Sequence, residues 1–139
     1  MDMSRGPAAA APSARVAAPV TIRDAWIRAL PGKLPAGGYF TLRNDGDPPS
    51  KLTGASSPAC GILMLHKSQT GGGMAQMSDV AAIDIPAHGT LKFAPGGYHL
   101  MCTDAKAAIR PGNLVLVRLD FAGGLQATAS FAVRNASGR

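Results

Sequence analysis

Residues 114–133 read LVLVRLDFAGGLQATASFAV, two apolar runs separated by the turn residues Ala122-Gly123-Gly124. The first run, Leu114–Phe121, is rich in leucine and valine, and the second, Leu125–Val133, mixes apolar with small polar residues. Short runs of this kind, bounded by glycines, are typical of β-strands rather than of helices. The stretch therefore predicts two strands joined by a tight turn.

The same pattern recurs from Val20 onward, and we count about nine candidate strands. Besides the two above, the candidates are Thr21–Leu30, Gly38–Asn44, Lys51–Ser56, Gly61–Ser68, Met74–Asp79, Thr90–Phe93 and Tyr98–Thr103. Turn chemistry separates most of them, as in the run 44–49 (NDGDPP) and the run 95–97 (PGG). Each short strand needs a facing sheet to bury its apolar side. We expect an all-β fold, a Greek-key β-sandwich or barrel.

The composition agrees with one all-β domain. The chain has 139 residues, 46% of them hydrophobic, and it contains 17 Gly, 11 Pro and no Glu, so a helical bundle is excluded. The predicted boundaries are a flexible Ala/Pro-rich tail at residues 1–20, a domain at residues 21–133 and a short C-terminal tail at residues 134–139. No apolar run approaches the roughly 18 residues of a membrane span, so we expect a soluble chain without one.

Charge and cysteine content limit the classes of partner. The net charge is +6, but the basic residues are spread along the chain without aromatic-interleaved runs, so we expect no nucleic-acid binding. The two cysteines, Cys60 and Cys102, form neither a C-x-x-C pair nor a zinc motif. Paired, they would close a loop worth about 4 kcal/mol of stability and would require an oxidising compartment. The sequence leaves that pairing open.

Soft metal ligands are concentrated in one segment of 38 residues. Its members are Met64, His66, Met74, Met77, His99 and Met101. In the strand Tyr98–Thr103, period-two alternation places His99 and Met101 on one face and Cys102 on the other. Imidazole and thioether ligands suit a soft ion such as Cu(I), although methionine is more often a core gap-filler.

The other histidines and methionines have different interpretations. Met64 shares the strand parity of His66, and we favour core packing for it over a place beside the metal. Met74 is interpreted as a loop-side neighbour or a spare ligand. His88 lies in a Pro-Ala-His-Gly turn, where solvation is the expected state.

The spacing of four of these residues resembles a known motif. His66, ten residues, Met77, twenty-one residues, then His99-Leu100-Met101 is similar to the His-x10-Met-x21-His-x-Met copper motif of the periplasmic Cu(A) copper chaperone family (PCu(A)C type). Other stretches also resemble that family: residues 24–29 (DAWIRA), 38–44 (GYFTLRN), 83–87 (IDIPA) and 95–101 (PGGYHLM). The resemblance covers roughly Thr21 to Val133.

The resemblance implies a cupredoxin-like β-sandwich with His66, Met77, His99 and Met101 as copper ligands. It implies a periplasmic copper chaperone, not an enzyme, that delivers Cu(I) to the Cu(A) domain of cytochrome c oxidase subunit II. A thioredoxin-like assembly protein is a further implied partner, and we expect a monomer. Where family members carry an apolar residue after the final methionine, this chain has Cys102.

Three alternatives stay open. One is a periplasmic protein for copper storage or scavenging. Another is a cupredoxin electron carrier, which needs two histidines and a cysteine thiolate, whereas Cys102 has no histidine a few residues downstream. The third is a sandwich that binds no metal, for which the His/Met spacing would be coincidence.

Overall fold

The structure, a computed structural model, describes residues 16–30, 34–71 and 74–138. Within these ranges the chain forms eleven strands and one short 3-10 helix at Ala122–Gly124. The strands are β1 (Val16–Ala17), β2 (Val20–Arg28), β3 (Ala36–Asn44), β4 (Ser50–Ser56), β5 (Cys60–Gly71), β6 (Met74–Asp79), β7 (Ile83–Ile85), β8 (Thr90–Phe93), β9 (Tyr98–Ala105), β10 (Leu114–Phe121) and β11 (Leu125–Arg134). The prediction of an all-β fold is confirmed.

All the strands belong to one hydrogen-bonded sheet that curls around a single core. Its main path runs β6-β5-β9-β3-β2-β11-β10-β4-β7, with β1 added beside β11 and β8 beside β3. Although β4 and β5 are far apart on this path, they contact each other, so the sheet curls into a half-barrel around the core. Pairing is antiparallel except where β11 meets β1 and β2. No helix in the described ranges is long and apolar enough to cross a membrane.

Alternating side chains fill the barrel. In β10, Val115, Val117 and Leu119 point inward and are buried, whereas Leu114 and Leu116 face outward. At the centre Phe40 packs against two other aromatic rings at centroid distances of 4.4 and 5.7 Å, those of Phe93 and Phe131. Burial of each such side chain contributes about 1.5–3 kcal/mol. The core therefore holds the strands at fixed register.

Two strands were not predicted. Val16–Ala17 lies within the predicted tail and pairs in parallel with Leu125 and Gln126, so the sheet begins before residue 21. Ile83–Ile85 pairs with β4 and buries both isoleucines. Both strands are too short for an alternating hydrophobic pattern to be recognised in the sequence. They are strands because their backbones pair with β11 and β4, respectively. Residues 1–15 of the predicted tail lie outside the described residues.

A disulfide joins β5 to β9. Cys60 and Cys102, 42 residues apart, are bonded, which resolves the pairing that the sequence left open. Both half-cystines are buried among core side chains. The bond therefore ties two adjacent strands together from the inner side of the sheet, leaving their outer side chains unaffected.

Candidate metal site

Two neighbouring strands, β5 and β9, carry the cluster of predicted ligands. Their antiparallel register sets His99 directly opposite His66, and Met101 directly opposite Met64. The intervening residues point inward: Leu63 and Leu65 on β5, and Leu100 and Cys102 on β9, are all buried in the core. Alternation therefore places the two histidines and two methionines together on the outer face of one strand pair.

The two imidazoles lie close together. The ring centroids of His66 and His99 are 5.6 Å apart and the rings are inclined at 68°. His99 is 5% exposed and the His66 side chain 15% exposed, so both rings are largely shielded from water. Metal–nitrogen bonds are about 2.0 Å long, so two rings at this separation can reach one ion.

The ring nitrogens of these histidines are mostly without hydrogen-bond partners. His99 Nδ1 lies 3.2 Å from the carbonyl oxygen of Gly97, to which it donates when protonated. This tautomer leaves a lone pair on His99 Nε2, which is buried and has no hydrogen-bond partner among the described side chains. Buried polar atoms are normally paired, and a backbone hydrogen bond on the other nitrogen is the arrangement found in metal-binding histidines. His99 can therefore donate the lone pair of Nε2 to a metal ion.

His66 lies beside the carboxylate of Asp79. Its Nε2 lies 2.8 Å from Oδ1 of Asp79, its register partner on β6. The contact lacks the angles of a hydrogen bond, and within the described part of the chain both ring nitrogens of His66 are buried without a hydrogen-bond partner. Asp79 is exposed, so water screens its charge. One ring nitrogen of His66 can therefore bind an ion while Asp79 remains at the exposed edge of the site.

Burial also shifts the charge state of His99 towards the neutral ring. Removal from water disfavours the imidazolium and lowers the pKa of His99 below its ordinary 6.5. The hydrogen bond to Gly97 opposes this shift, and the nearby His66 adds to it. A neutral ring is the form that binds a metal, so the environment favours the ligand state of His99.

Met101 borders an open pocket on the outer face. The pocket has a volume of about 330 Å³, and its walls include Met101, His99, Arg28 and Tyr39. A Cβ atom at Gly37, the register partner of Met101, would lie 2.7 Å from the Tyr39 hydroxyl oxygen. Glycine at this position therefore lets the tyrosine lie flat on the strand beside the half-buried Met101.

The structure leaves the predicted ligand Met77 incompletely described. Its backbone on β6 pairs with Ser68 on β5, two residues along from His66. The side chains of Met77 and Met74 lie outside the described residues. The described side chains thus bring together His66, His99 and Met101, and the role of these three and of Met77 as ligands stays a prediction.

The remaining candidates have ordinary surroundings. His88 is exposed, as expected, and its Nε2 pairs with Asp47 Oδ1 at 2.9 Å. Cys102 is oxidised and faces the core, so it has no thiolate to offer. Across the described part of the chain no three His, Cys, Asp or Glu side chains cluster as a metal site. Beside the two histidines, the described side chains of β5 and β9 that could hold a soft ion on this face include the thioethers of Met64 and Met101.

The core role favoured for Met64 is wrong. Met64 is half-buried, faces outward and is absent from the side chains that form or line the core. The signal that could have identified it was present: Met64 and His66 are two residues apart, as are His99 and Met101. The sequence did not reveal that the two pairs are directly opposite.

Together the fold and the cluster define a cupredoxin-like β-barrel domain with histidine and methionine side chains gathered on one outer strand pair. Residues 20–133 match the family described as "Putative lipoprotein LpqE-like", and the chain belongs to that family. A curated relative, "Putative lipoprotein Lxx21020" of Leifsonia xyli subsp. xyli, is 32% identical over 95% of this chain and 80% of its own length.

Solved structures with the same fold include copper-bound proteins. The Cu(I) form of DR1885 from Deinococcus radiodurans is 33% identical, with a TM-score of 0.67 over 85% of this chain and 80% of its own. The copper-bound PCuAC domain from PmoF2 is 25% identical, with a TM-score of 0.70 over 86% of this chain and 96% of its own. The resemblance to PCu(A)C-type domains is confirmed at the level of family and fold.

Proposed function

We propose that this protein is a copper carrier that binds one Cu(I) ion through His66, Met77, His99 and Met101. The observation that carries the proposal is the buried Nε2 of His99, which no described residue hydrogen-bonds and which lies beside the His66 ring on the face that holds Met101. The copper bound to DR1885 and to the PmoF2 domain supports the same cargo for this chain. Each of the four ligands is neutral when it binds, which suits a soft monovalent ion.

The chemistry of the cysteines separates this proposal from an electron carrier. A type-one copper site needs a cysteine thiolate, and both cysteines of this chain are joined in a disulfide. Thioethers, unlike thiols, do not form disulfides under oxidising conditions. The ligand set and the disulfide both suit an extracytoplasmic compartment, which for a bacterial protein of this kind is the periplasm. The lipoprotein description of the relatives supports that location.

The proposed activity is delivery without catalytic turnover. The acceptor is the Cu(A) domain of cytochrome c oxidase subunit II, with a thioredoxin-like protein keeping the acceptor cysteines reduced. Met101 is half-buried and borders an open pocket, so an incoming ligand has access to the ion. Transfer proceeds by exchange of one ligand at a time through an intermediate in which both proteins hold the copper.

Competition for Cu(I) against a colorimetric chelator tests the binding step. We expect the parent chain to remove about one equivalent of Cu(I) without strong blue absorption, and Met101→Ala to bind at least about tenfold more weakly. A matched comparison of the two loop-flanking methionines tests the motif: Met77→Leu should weaken binding more than Met74→Leu. The reverse order would mean that the wrong methionine had been chosen.

Mixing the copper-loaded protein with the apo, reduced Cu(A) domain tests delivery. After the two proteins are separated, we expect copper on the acceptor at near-stoichiometric ratios. A control with free Cu(I) shows that the acceptor can be loaded. Copper that stays with the carrier at every ratio would favour the storage or scavenging alternative instead.

A further inference from the structure

We propose that Met64 is a reserve thioether ligand, which takes the place of Met77 on the copper ion when Met77 is displaced. This inference rests on the proposed function, because it concerns the same Cu(I) ion. It adds a fifth donor residue to the four that the sequence motif supplies. Its consequence is that the ion keeps two sulfur ligands on β5 and β9 while the third strand, β6, releases it.

Register places Met64 within reach of the other donors. Met64 lies directly opposite Met101, and the adjacent pair on the same face is His66 opposite His99. Side chains directly opposite each other in an antiparallel pair have Cβ atoms about 4.5–5.5 Å apart. Methionine has three rotatable side-chain bonds, so the sulfur atoms of Met64 and Met101 can converge on an ion held between the histidine rings.

Met64 lies outside the packed core of the sheet. Its neighbours Leu63 and Leu65 point into the core and are less than a tenth exposed, whereas Met64 is half-buried on the outer face. Neither Met64 nor Met101 is among the side chains that pack against the core cluster. Met64 thus shares both the orientation and the burial of a predicted ligand.

The two methionines that would exchange, Met64 and Met77, lie on strands that are held by different numbers of neighbouring strands. Strand β5 is paired on both sides, with β9 and with β6, and the Cys60–Cys102 disulfide ties it to β9. Strand β6 ends the sheet path and, within the described residues, pairs with β5 alone. Displacing a ligand on an edge strand disturbs fewer backbone contacts than displacing one on β5.

The exchange is a simple substitution at the metal. The bond between copper and the Met77 sulfur breaks, and a bond between copper and the Met64 sulfur forms. Copper stays in the +1 state, and no proton moves because thioethers are not protonated. An acceptor can therefore approach from the side of β6 while His66, His99, Met101 and Met64 retain the ion.

A double-mutant cycle on Cu(I) affinity tests the substitution. Leucine replaces methionine with little change in volume, so Met64→Leu, Met77→Leu and the double variant should all fold. We expect a loss of less than about threefold for Met64→Leu and of about tenfold for Met77→Leu. The double variant should lose more than about 100-fold, beyond the product of the single losses, because no second thioether can then compensate.

Copper K-edge X-ray absorption counts the sulfur ligands directly. Copper-loaded Met77→Leu should retain two sulfur neighbours, and the double variant should show one. A single sulfur neighbour in Met77→Leu, or losses that only multiply, would overturn the role of Met64 while leaving the four-ligand proposal intact. Failure of the parent chain to bind Cu(I) would overturn both proposals.

Discussion

Two histidine regions of this barrel differ in what their ring nitrogens bind. At the turn between β7 and β8, His88 is exposed and its Nε2 pairs with Asp47 at 2.9 Å. On the β5–β9 face, His99 is buried, and no described residue pairs with its Nε2, although Nδ1 is held by the carbonyl oxygen of Gly97. The first histidine is satisfied by its surroundings, and the second is left with an unused lone pair.

The difference teaches that the environment, not the residue type, makes a histidine a candidate ligand. A buried nitrogen without a partner costs free energy, and a bound ion recovers part of that cost. The exposed His88 carries no such cost because water and Asp47 serve its nitrogens. The β5–β9 face therefore lowers the stability of the metal-free protein and raises its affinity for a bound ion.

Removal of the disulfide should produce the largest difference between the two regions. Replacing both Cys60 and Cys102 by Ala should lower the free energy of unfolding by about 4 kcal/mol, measured by urea denaturation. Because the bond joins β5 to β9, amide hydrogen exchange should accelerate more on these strands than around His88. Chemical reduction of the parent protein is the control and should reproduce the effect. Equal acceleration in both regions would contradict a local bracing role.

Removing one histidine from each region tests the contrast directly. His99→Ala should weaken Cu(I) binding by at least about 100-fold, since loss of a ligand exceeds the 10- to 100-fold typical of outer-sphere changes. His88→Ala should change the affinity by less than about twofold. Both values come from chelator competition. Comparable losses in the two variants would mean that copper does not bind at the β5–β9 face.

Filling the space beside Met101 should have a smaller effect. A methyl group at Gly37 would press on the Tyr39 hydroxyl, so Gly37→Ala should cost about 1–3 kcal/mol of stability by overpacking. Adding Tyr39→Phe removes the atom that clashes and should recover part of the loss. Thermal unfolding of the single and double variants measures both. If the second substitution recovers nothing, the clash is with the ring carbons of residue 39, which would lie 3.2 and 3.5 Å from the added methyl group, rather than with the hydroxyl.

The pH dependence of the metal-free protein should be the smallest effect. Burial lowers the pKa of His99, so between that value and about 6.5 the unfolded chain binds more protons than the folded one. The stability contribution of neutral His99 is therefore complete above about 6.5 and decreases as the pH falls from there to the lowered pKa. Titration of the His99 ring by NMR should give a midpoint below 6.5. A midpoint above 6.5 would contradict the proposed burial effect.

The sequence by itself determined the class of fold and most of its strands. All nine predicted strands are present, because alternation and glycine-rich turns are local signals that survive without tertiary context. It also placed His99 and Met101 on one face, since side-chain direction in a strand has a fixed period of two. The ligand motif itself was readable as spacing and resemblance, and the ligand role of all four of its residues stays a prediction.

Only the tertiary structure decided which strands lie side by side, because pairing between β5 and β9 joins residues far apart in the chain. That register set Met64 opposite Met101 and joined Cys60 to Cys102, two outcomes for which the sequence offered no local signal. The same holds for the unpartnered nitrogens of His66 and His99. Burial and hydrogen bonding depend on every strand around them, and no pattern along a single strand contains that information.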